Sequence, residues 1–515
     1  MKQKSFNKLS LVAVLLLFGI SNAAVLPGYF ELDSSPDPEG RLPSNSIIDI
    51  IPDDGTLWMG TSRGIAQYYL GGQGWFNIRS GDAIGTGGIS ALTVSDSIIW
   101  AATAFSEKTS AGTLPAGGGV GYSRNGGEDW IWLPQPVDPV DTEDYAPTTT
   151  NVQNVTYDIA LSQESVWITS WGGGLRRLRY GSEEWELVTV DGQSFTALHN
   201  LNHRGFSVIY VKDALWVGTA GGISRSIDEG LNWEAFAFHE DPGHISGNFV
   251  TALAAQKSPT IPDHFNIWAA TWKANDPKEY YGLSVSENDG ASWRIALSDS
   301  TELQPGEYLI DRYGPLHVHN IGFGGDSTVY AAADGALWFS QDLGHTWAPL
   351  DEIYDPTTGE NFRNVDFFSA VWEETSDAIW VGTNAGLAEG RFNHDTGTFS
   401  WRIHRSFKPA GVDGTPNTYA YPSPFSPKRG QLTRFQVPAS SSISAELKIM
   451  NFNMESVYSS GSMLLPGGGT NEMSGYGAIQ WDGRDSDGDL VANGVYFYRV
   501  KVGSNTWWGK VMVLD

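Results

Sequence analysis

The chain has 515 residues, of which 41% are hydrophobic, and carries a formal net charge of −27. So acidic a surface repels phosphate backbones and anionic lipid headgroups, which argues against nucleic acid as a partner. The chain contains no cysteine, so disulfide frameworks, thiolate catalysis and cysteine-ligated metals are all excluded.

The N-terminus reads as a leader. Lys2, Lys4 and Lys8 precede an apolar run from Leu9 to Ile20, and Ser21-Asn22-Ala23 offers small residues for cleavage. This order predicts a signal peptide over residues 1–23. No later apolar run approaches the roughly 18 residues of a membrane-spanning helix. The expected product is secreted or held at the cell surface, without a transmembrane segment.

One phrase then recurs. Leu57-Trp58-Met59-Gly60-Thr61 is followed by Ile99-Trp100-Ala101-Ala102-Thr103, Val166-Trp167-Ile168-Thr169-Ser170, and Leu215-Trp216-Val217-Gly218-Thr219. Ile267-Trp268-Ala269-Ala270-Thr271, Val329-Tyr330-Ala331-Ala332-Ala333 and Ile379-Trp380-Val381-Gly382-Thr383 complete seven copies. Each alternates large and small apolar residues, as a strand packed on both faces does, and a glycine turn follows. Helical periodicity is almost absent. Repeats of this spacing predict an all-β fold, a seven-bladed β-propeller over residues 24–405.

Four units add Ser-x-Asp/Asn-x-Gly-x-x-Trp, at Ser123 to Trp130, Ser226 to Trp233, Ser286 to Trp293 and Ser340 to Trp347. Their acidic or amide members, Asn125, Asp228, Asn288 and Asp342, suit a hairpin turn in which the side chain accepts turn N–H groups. This pattern resembles the Asp-box (BNR) repeat of sialidase-like propellers. The Leu-Trp-x-Gly-Thr phrases resemble the two-component-regulator propeller repeat. Turn chemistry accounts for the four residues, so a structural role is expected.

After Trp401 the periodicity stops. Residues 406–418 form a Pro/Gly/polar linker. Residues 419–515 contain Tyr421-Pro422-Ser423-Pro424-Phe425, then Trp481-Asp482-Gly483-Arg484-Asp485, and finally Gly494-Val495-Tyr496-Phe497-Tyr498. Together these resemble the Ig-like domain of flagellar hook-capping proteins and the C-terminal sorting domain of type IX secretion cargo. The resemblance implies a partner in the export machinery. Asp487-Gly488 reads as a hairpin turn between two strands. Asp485, Asp487 and Asp489 alternate as in part of a calcium loop, but lack the closing Glu of an EF-hand; no metal is expected.

Long insertions fall after second strands (Phe105 to Val120, Thr271 to Tyr281) and between blades (Gln135 to Val155, Asp191 to Gly205, Ser298 to Leu316, Asp351 to Arg363), all of which share one face. That face is the expected ligand site. Candidate ligand-binding residues there are Arg63, Trp171, His203, Arg204, Trp272, Tyr281, Arg312, His319 and Arg363, with His199, Lys273, Tyr280, Tyr313 and His317 nearby. Exposed aromatics beside hydrogen-bonding groups suit a glycan or a protein ligand. Arg204, Trp272, Arg312 and Arg363, from different blades, are expected to converge at the channel mouth. His317-x-His319 places two imidazoles on one face of a strand, with no carboxylate beside them in sequence.

Three function classes follow. The first is a non-catalytic binding or scaffold protein needing no cofactor. The second is an extracellular glycoside hydrolase of the Asp-box type. Trp293-Arg294-Ile295-Ala296 and Trp401-Arg402-Ile403-His404 lack the proline and the early position of the sialidase Phe/Tyr-Arg-Ile-Pro motif, which disfavours a sialidase. The third, a histidine-kinase sensor, lacks a downstream span and kinase.

Overall fold

The computed structural model describes residues 42–71, 74–79, 84–110, 112–138, 149–274, 276–325, 327–363, 365–393, 398–406, 418–421, 423–429, 432–438, 443–465 and 476–514. The leader and most of the linker lie outside these residues.

The described chain is nearly all β. Seven antiparallel four-stranded sheets lie between residues 47 and 404, each made of four consecutive strands in sequence order. The first strands are Ile47–Asp53, Gly88–Ser95, Thr156–Leu161, Gly205–Val211, Phe249–Lys257, Val318–Gly324 and Phe367–Glu373. Each touches the first strand of the next sheet, and the seventh touches the first, so the contacts close into a cycle. This arrangement is consistent with β-propeller architecture.

The repeated tryptophan explains why the sheets pack. Trp58, Trp100, Trp167, Trp216, Trp268, Tyr330 and Trp380 are all buried, and each lies on the second strand of its sheet. Each packs against the following sheet: Trp58 joins Ile89 and Ile99, Trp167 joins Val208 and Val217, and Trp268 joins Val329 and Trp338. Trp380 closes the series by packing with Ile47, Ile50 and Met59 of the first sheet. The small residue of the phrase admits this approach, since a Cβ on Gly382 would meet the Ile47 carbonyl and Ser369 Oγ at 2.7 and 2.6 Å. At the same seam the Ser406 N–H donates to Asn45 Oδ1 at 2.8 Å.

The Ser-x-Asp/Asn turns join third to fourth strands. In the sixth sheet, Ser340 Oγ accepts from the Gly344 N–H at 2.8 Å and donates to Asp342 Oδ1 at 2.8 Å, while that oxygen accepts from the Thr346 N–H at 2.8 Å. Asp228 repeats the pattern with Asn232, Asn125 with Asp129, and Asn288 with Ser292. Gly344 has φ +76°, and a Cβ there would meet Trp268 of the preceding sheet. Turn and tryptophan phrase therefore interlock across neighbouring sheets.

Phe105 to Val120 is not an open loop. Its residues extend the second and third strands of the second sheet to Ile98–Thr109 and Gly112–Ser123, because a bulge between Thr103 and Ala104 lets pairing resume. The insertion before the sixth sheet holds a two-stranded hairpin and the five-residue helix Leu309–Tyr313, and the one before the seventh holds a hairpin of Glu352–Asp355 with Glu360–Arg363.

Residues 419–513 form a three-stranded sheet (Tyr419–Tyr421, Thr433–Pro438, Tyr476–Trp481) and a four-stranded one (Ser456–Leu465, Ile443–Met450, Gly494–Val502, Asn505–Val513). Both contribute to a core that includes Phe435, Leu447, Trp481 and Tyr498. The strands either side of Asp487-Gly488 belong to different sheets; the turn is closed by an isolated antiparallel bridge of Arg484 with Leu490 and does not join two strands of one sheet. Asp485 Oδ1 accepts the N–H groups of Asp487 and Asp489 at 3.0 and 2.9 Å, turning the chain from one sheet to the other.

Candidate functional site

The site begins with an irregularity repeated in every inner strand. A β-bulge lies between Ile47 and Asp49, Ile89 and Ala91, Thr156 and Asp158, Gly205 and Ser207, Val250 and Ala252, Val318 and Asn320, and Phe367 and Ser369. A bulge sets two residues against one and re-aims a side chain. The seven bulged residues are Ile48, Ser90, Tyr157, Phe206, Thr251, His319 and Phe368, and all seven line one cavity of about 490 Å³ at the centre of the cycle.

Two carboxylates line the same cavity. Asp49 Oδ1 accepts from the Ile50 N–H at 2.9 Å and from Asn320 Nδ2 at 3.2 Å. Asp158 Oδ1 accepts from the Ile159 N–H and Oδ2 from the Val208 N–H, both at 2.8 Å. Both side chains are half-buried, because the cavity is open to water while protein surrounds it. Burial raises Asp49 to about 6 against these hydrogen bonds. Burial raises Asp158 to about 7, and the charge of Asp49 adds to the rise. No lysine or arginine stands among the lining residues.

At the loop-bearing end an aromatic arc crosses several sheets. Tyr157 meets Phe206 at 5.5 Å between ring centroids, Phe206 meets Phe249 at 4.3 Å, and Phe249 stacks on Trp272 at 5.8 Å. Trp272 meets His317 at 4.6 Å, and His317 meets Tyr281 at 4.9 Å. Asp334 bridges the two histidines, with Oδ2 3.0 Å from His317 Nδ1 and Oδ1 2.6 Å from His319 Nε2. Burial works to raise Asp334, but hydrogen bonds from both imidazoles more than offset it and hold the carboxyl below the usual range. Each carboxylate oxygen is thus committed to one ring, and no group of three or more His, Asp or Glu among the described residues is arranged to hold a metal ion.

The candidates read from the sequence divide. His319 lines the cavity, and Tyr281 and Trp272 belong to the arc. Trp272 is buried, however, at 4% exposure, so it is not the exposed stacking platform expected of a loop aromatic; Phe249 and His317 cover its faces. Arg204 lies over Trp171 at 5.1 Å and donates to the Ala197 and Leu198 carbonyls. Arg312 faces Asp351, and Arg363 pairs with Glu352. Arg204 and Arg363 thus serve their own loops, while Arg312 reaches the insertion before the seventh sheet, where Asp351 and Glu352 are consecutive. His203 is buried, 3.0 Å from Asp191, and accepts the Thr196 N–H. Arg63 lies half-buried in the first sheet's turn, where its N–H donates to Thr61 Oγ1 at 3.2 Å. Asp49, Asp158, Tyr157, Phe206 and Phe368 were not among the candidates, because a bulge leaves no spacing signal.

No protein-family model and no curated protein matches this chain. Solved structures similar to it are β-propeller-like proteins. One is PorZ of Porphyromonas gingivalis, described as an essential bacterial surface component of the type-IX secretion system, at 14% identity and TM-score 0.37, covering 92% of this chain and 66% of that one, just under two thirds of its length. Another is YCF48 from Cyanidioschyzon merolae, at 16% identity and TM-score 0.41, covering 67% and 95%. A third is a GH74 xyloglucanase from Xanthomonas campestris, at 14% identity and TM-score 0.49, covering 80% and 60%.

Proposed function

We propose that the chain is a secreted or cell-surface binding protein: a seven-bladed propeller that holds a glycan or protein ligand at the loop-bearing mouth of its axial channel, followed by an Ig-like domain that directs export by a type IX-like route. One observation carries the binding reading: seven bulged side chains, one from each sheet, surround a single cavity. A site drawn from every repeat and contained in none is how a propeller builds a ligand pocket. The Ig-like and sorting assignments rest on the motifs between Tyr421 and Tyr498, and two sheets sharing one core agree with them.

The alternative is a glycoside hydrolase, and the presence of Asp49 and Asp158 in one cavity favours considering it. A hydrolytic pair needs environments that push two carboxyls apart, one ionised and one protonated. Here burial raises both, Asp158 further than Asp49.

A glycan array, a protein-capture screen and a glycosidase-substrate panel on residues 24–515 test the proposal. Binding without turnover is expected, and Tyr281→Ala or Phe368→Ala should weaken it at least several-fold while thermal unfolding stays cooperative. Turnover of a glycan that stops in Asp49→Asn or Asp158→Asn would replace the binding reading with the hydrolase.

A further inference from the structure

The C-terminal pair of sheets differs in charge from the rest of the chain. Residues 419–515 hold eight basic and eight acidic residues, whereas residues 24–418 hold 21 basic and 51 acidic. The basic residues are also sorted in space. In the four-stranded sheet, Leu447, Tyr498, Val500 and Val511 belong to the core, and alternation sends their neighbours Lys448, Arg499, Lys501 and Lys510 to the opposite face. Strand register sets Lys448 directly across from Arg499, and Arg499 across from Trp508. Like charges so placed repel. Glu446 lies 3.6 Å from Arg499, while Lys448, Lys501 and Lys510 have no ion pair among the described residues. Apolar side chains share the face: Trp508 is 54% exposed, and Phe452, 78% exposed, meets Phe497 at 6.1 Å.

The cycle of sheets presents the complement at the end away from its long loops. Asp54, Asp96, Glu164, Asp213, Asp263 and Glu374 stand exposed in the turns between first and second strands of six of the seven sheets. Lys212 is the one lysine or arginine among the described residues of those turns, and it donates to the Asp263 carbonyl. The carboxylates are close enough to repel one another: burial raises Asp53, and the charges of Asp96 and Asp54 add to the rise. Exposed aliphatic residues stand among them, Ile98 and Ile261 beside Asp96 and Asp263, and Ile227 and Leu231 in the third-to-fourth-strand turn of the fourth sheet.

A basic face with aromatics and an acidic end with aliphatics therefore sit on one chain. The last strand of the seventh sheet, Thr398–His404, runs toward the loop-bearing end, so the chain leaves the cycle on the side away from these turns. The acidic end of a second copy is the partner that the charges call for. An anionic lipid surface fits less well, since it would also meet the 51 acidic residues. Four strands about 4.8 Å apart and nine residues long give a face of roughly 15 by 30 Å. This is below the roughly 800 Å² that a standard interface buries on each partner, so the contact is expected to be weak.

We propose that the basic outer face of the C-terminal four-stranded sheet docks on the acidic turn end of a second copy of this chain, with Lys448, Lys501 and Lys510 pairing the turn carboxylates and Trp508 and Phe452 covering the exposed aliphatic residues. The contact leaves the loop-bearing mouth free, and it stands or falls apart from the ligand-binding reading.

Sedimentation velocity of residues 24–515 over a wide concentration range tests it, at low salt and at about 1 M salt, where screening shortens the reach of charge to about 3 Å. Association should appear at low salt, grow with concentration and be lost at high salt. Lys448→Glu/Lys501→Glu/Lys510→Glu should weaken it at least 10-fold, and Trp508→Ala severalfold. Asp54→Asn/Asp96→Asn/Asp213→Asn/Asp263→Asn should weaken it at least 10-fold as well. All four of these aspartates have positive φ, which Asn adopts readily, so the turns are kept. The decisive sample is an equal mixture of the Glu and Asn variants. Each retains one half of a heterologous contact, so the mixture should form pairs although neither variant associates alone. Cooperative thermal unfolding reports that each variant is folded, and Lys448→Gln/Lys501→Gln/Lys510→Gln takes the place of the charge reversal if that unfolds. A parent that stays monomeric at low salt, association indifferent to salt, association retained in either variant, or a mixture that stays monomeric overturns the proposal. Co-sedimentation of the parent with phosphatidylglycerol vesicles, without self-association, would give the face to a lipid surface and overturn it too.

Discussion

Asn320 donates through Nδ2 to Asp49 Oδ1 at 3.2 Å, across 271 positions of sequence. The bond joins the sixth sheet to the first over the axis and holds one of the two carboxyls that face the cavity. Asp49 and Asp158 titrate near 3.8 when unperturbed and at about 6 and about 7 in the folded chain. Folding therefore takes up protons between about pH 4 and 7, and their contribution to stability falls as pH rises through that window. Asp158→Asn should flatten the decline and be more stable than the parent at pH 8 by roughly 2 kcal/mol, allowing for water in the channel. Urea unfolding from pH 4 to 8 measures this; parallel curves for parent and variant would refute it. Asp191, held at about 2 against burial by hydrogen bonds from His203, Gln193 and Asn200, acts in a separate window at lower pH.

The inner strands approach too closely for a side chain at Gly322. A Cβ there would collide with the Ala370 carbonyl of the seventh sheet. Gly322→Ala should destabilise by about 1–3 kcal/mol. Gly71, with nothing within 4 Å of an added Cβ, serves as the comparison, and Gly71→Ala should shift stability by less than about 0.5 kcal/mol. Indistinguishable urea midpoints for the two would show that the sheets slide apart freely.

Ser340→Ala removes the acceptor of the Gly344 N–H from a buried turn. A loss of about 1–2 kcal/mol is expected in chemical denaturation, with ligand affinity at the channel mouth unaltered, since the turn lies at the opposite end of the sheet. A variant that kept its stability and lost binding would move the site to the turn face.

Removing residues 419–515 should leave a folded 24–418 fragment that accumulates in the periplasm of the native host. Fractionation and protease accessibility of intact cells give the answer. Surface delivery of the truncated chain would end the sorting assignment.

The packing of sheets was legible because its signal is linear. Trp58, Trp216 and Trp380 sit at one position in a second strand, and the same contact demands the same residue each time. The four polar turns were legible for the same reason. The cavity was not, because its members Ile48, Ser90, Tyr157 and His319 share a backbone irregularity and no chemistry, and a bulge is visible only in strand pairing. Loop reasoning found Tyr281 and Trp272 by their aromatic character but could not see that Phe249 and His317 cover Trp272. It also read Arg312 and Arg363 as free to meet a ligand, whereas Asp351 and Glu352, consecutive on the insertion before the seventh sheet, pair with them.

The seam between the first and seventh sheets has a mechanical consequence. Among the described residues no strand crosses it, so Trp380 against Ile47 and the bond from Ser406 to Asn45 act as the clasp of a bracelet. Undoing the clasp would leave every sheet intact as an open arc, and refastening it requires no strand to be threaded back. Tension applied at residues 45 and 406 should therefore open this chain first at its clasp, at a force below that needed to unravel any single sheet.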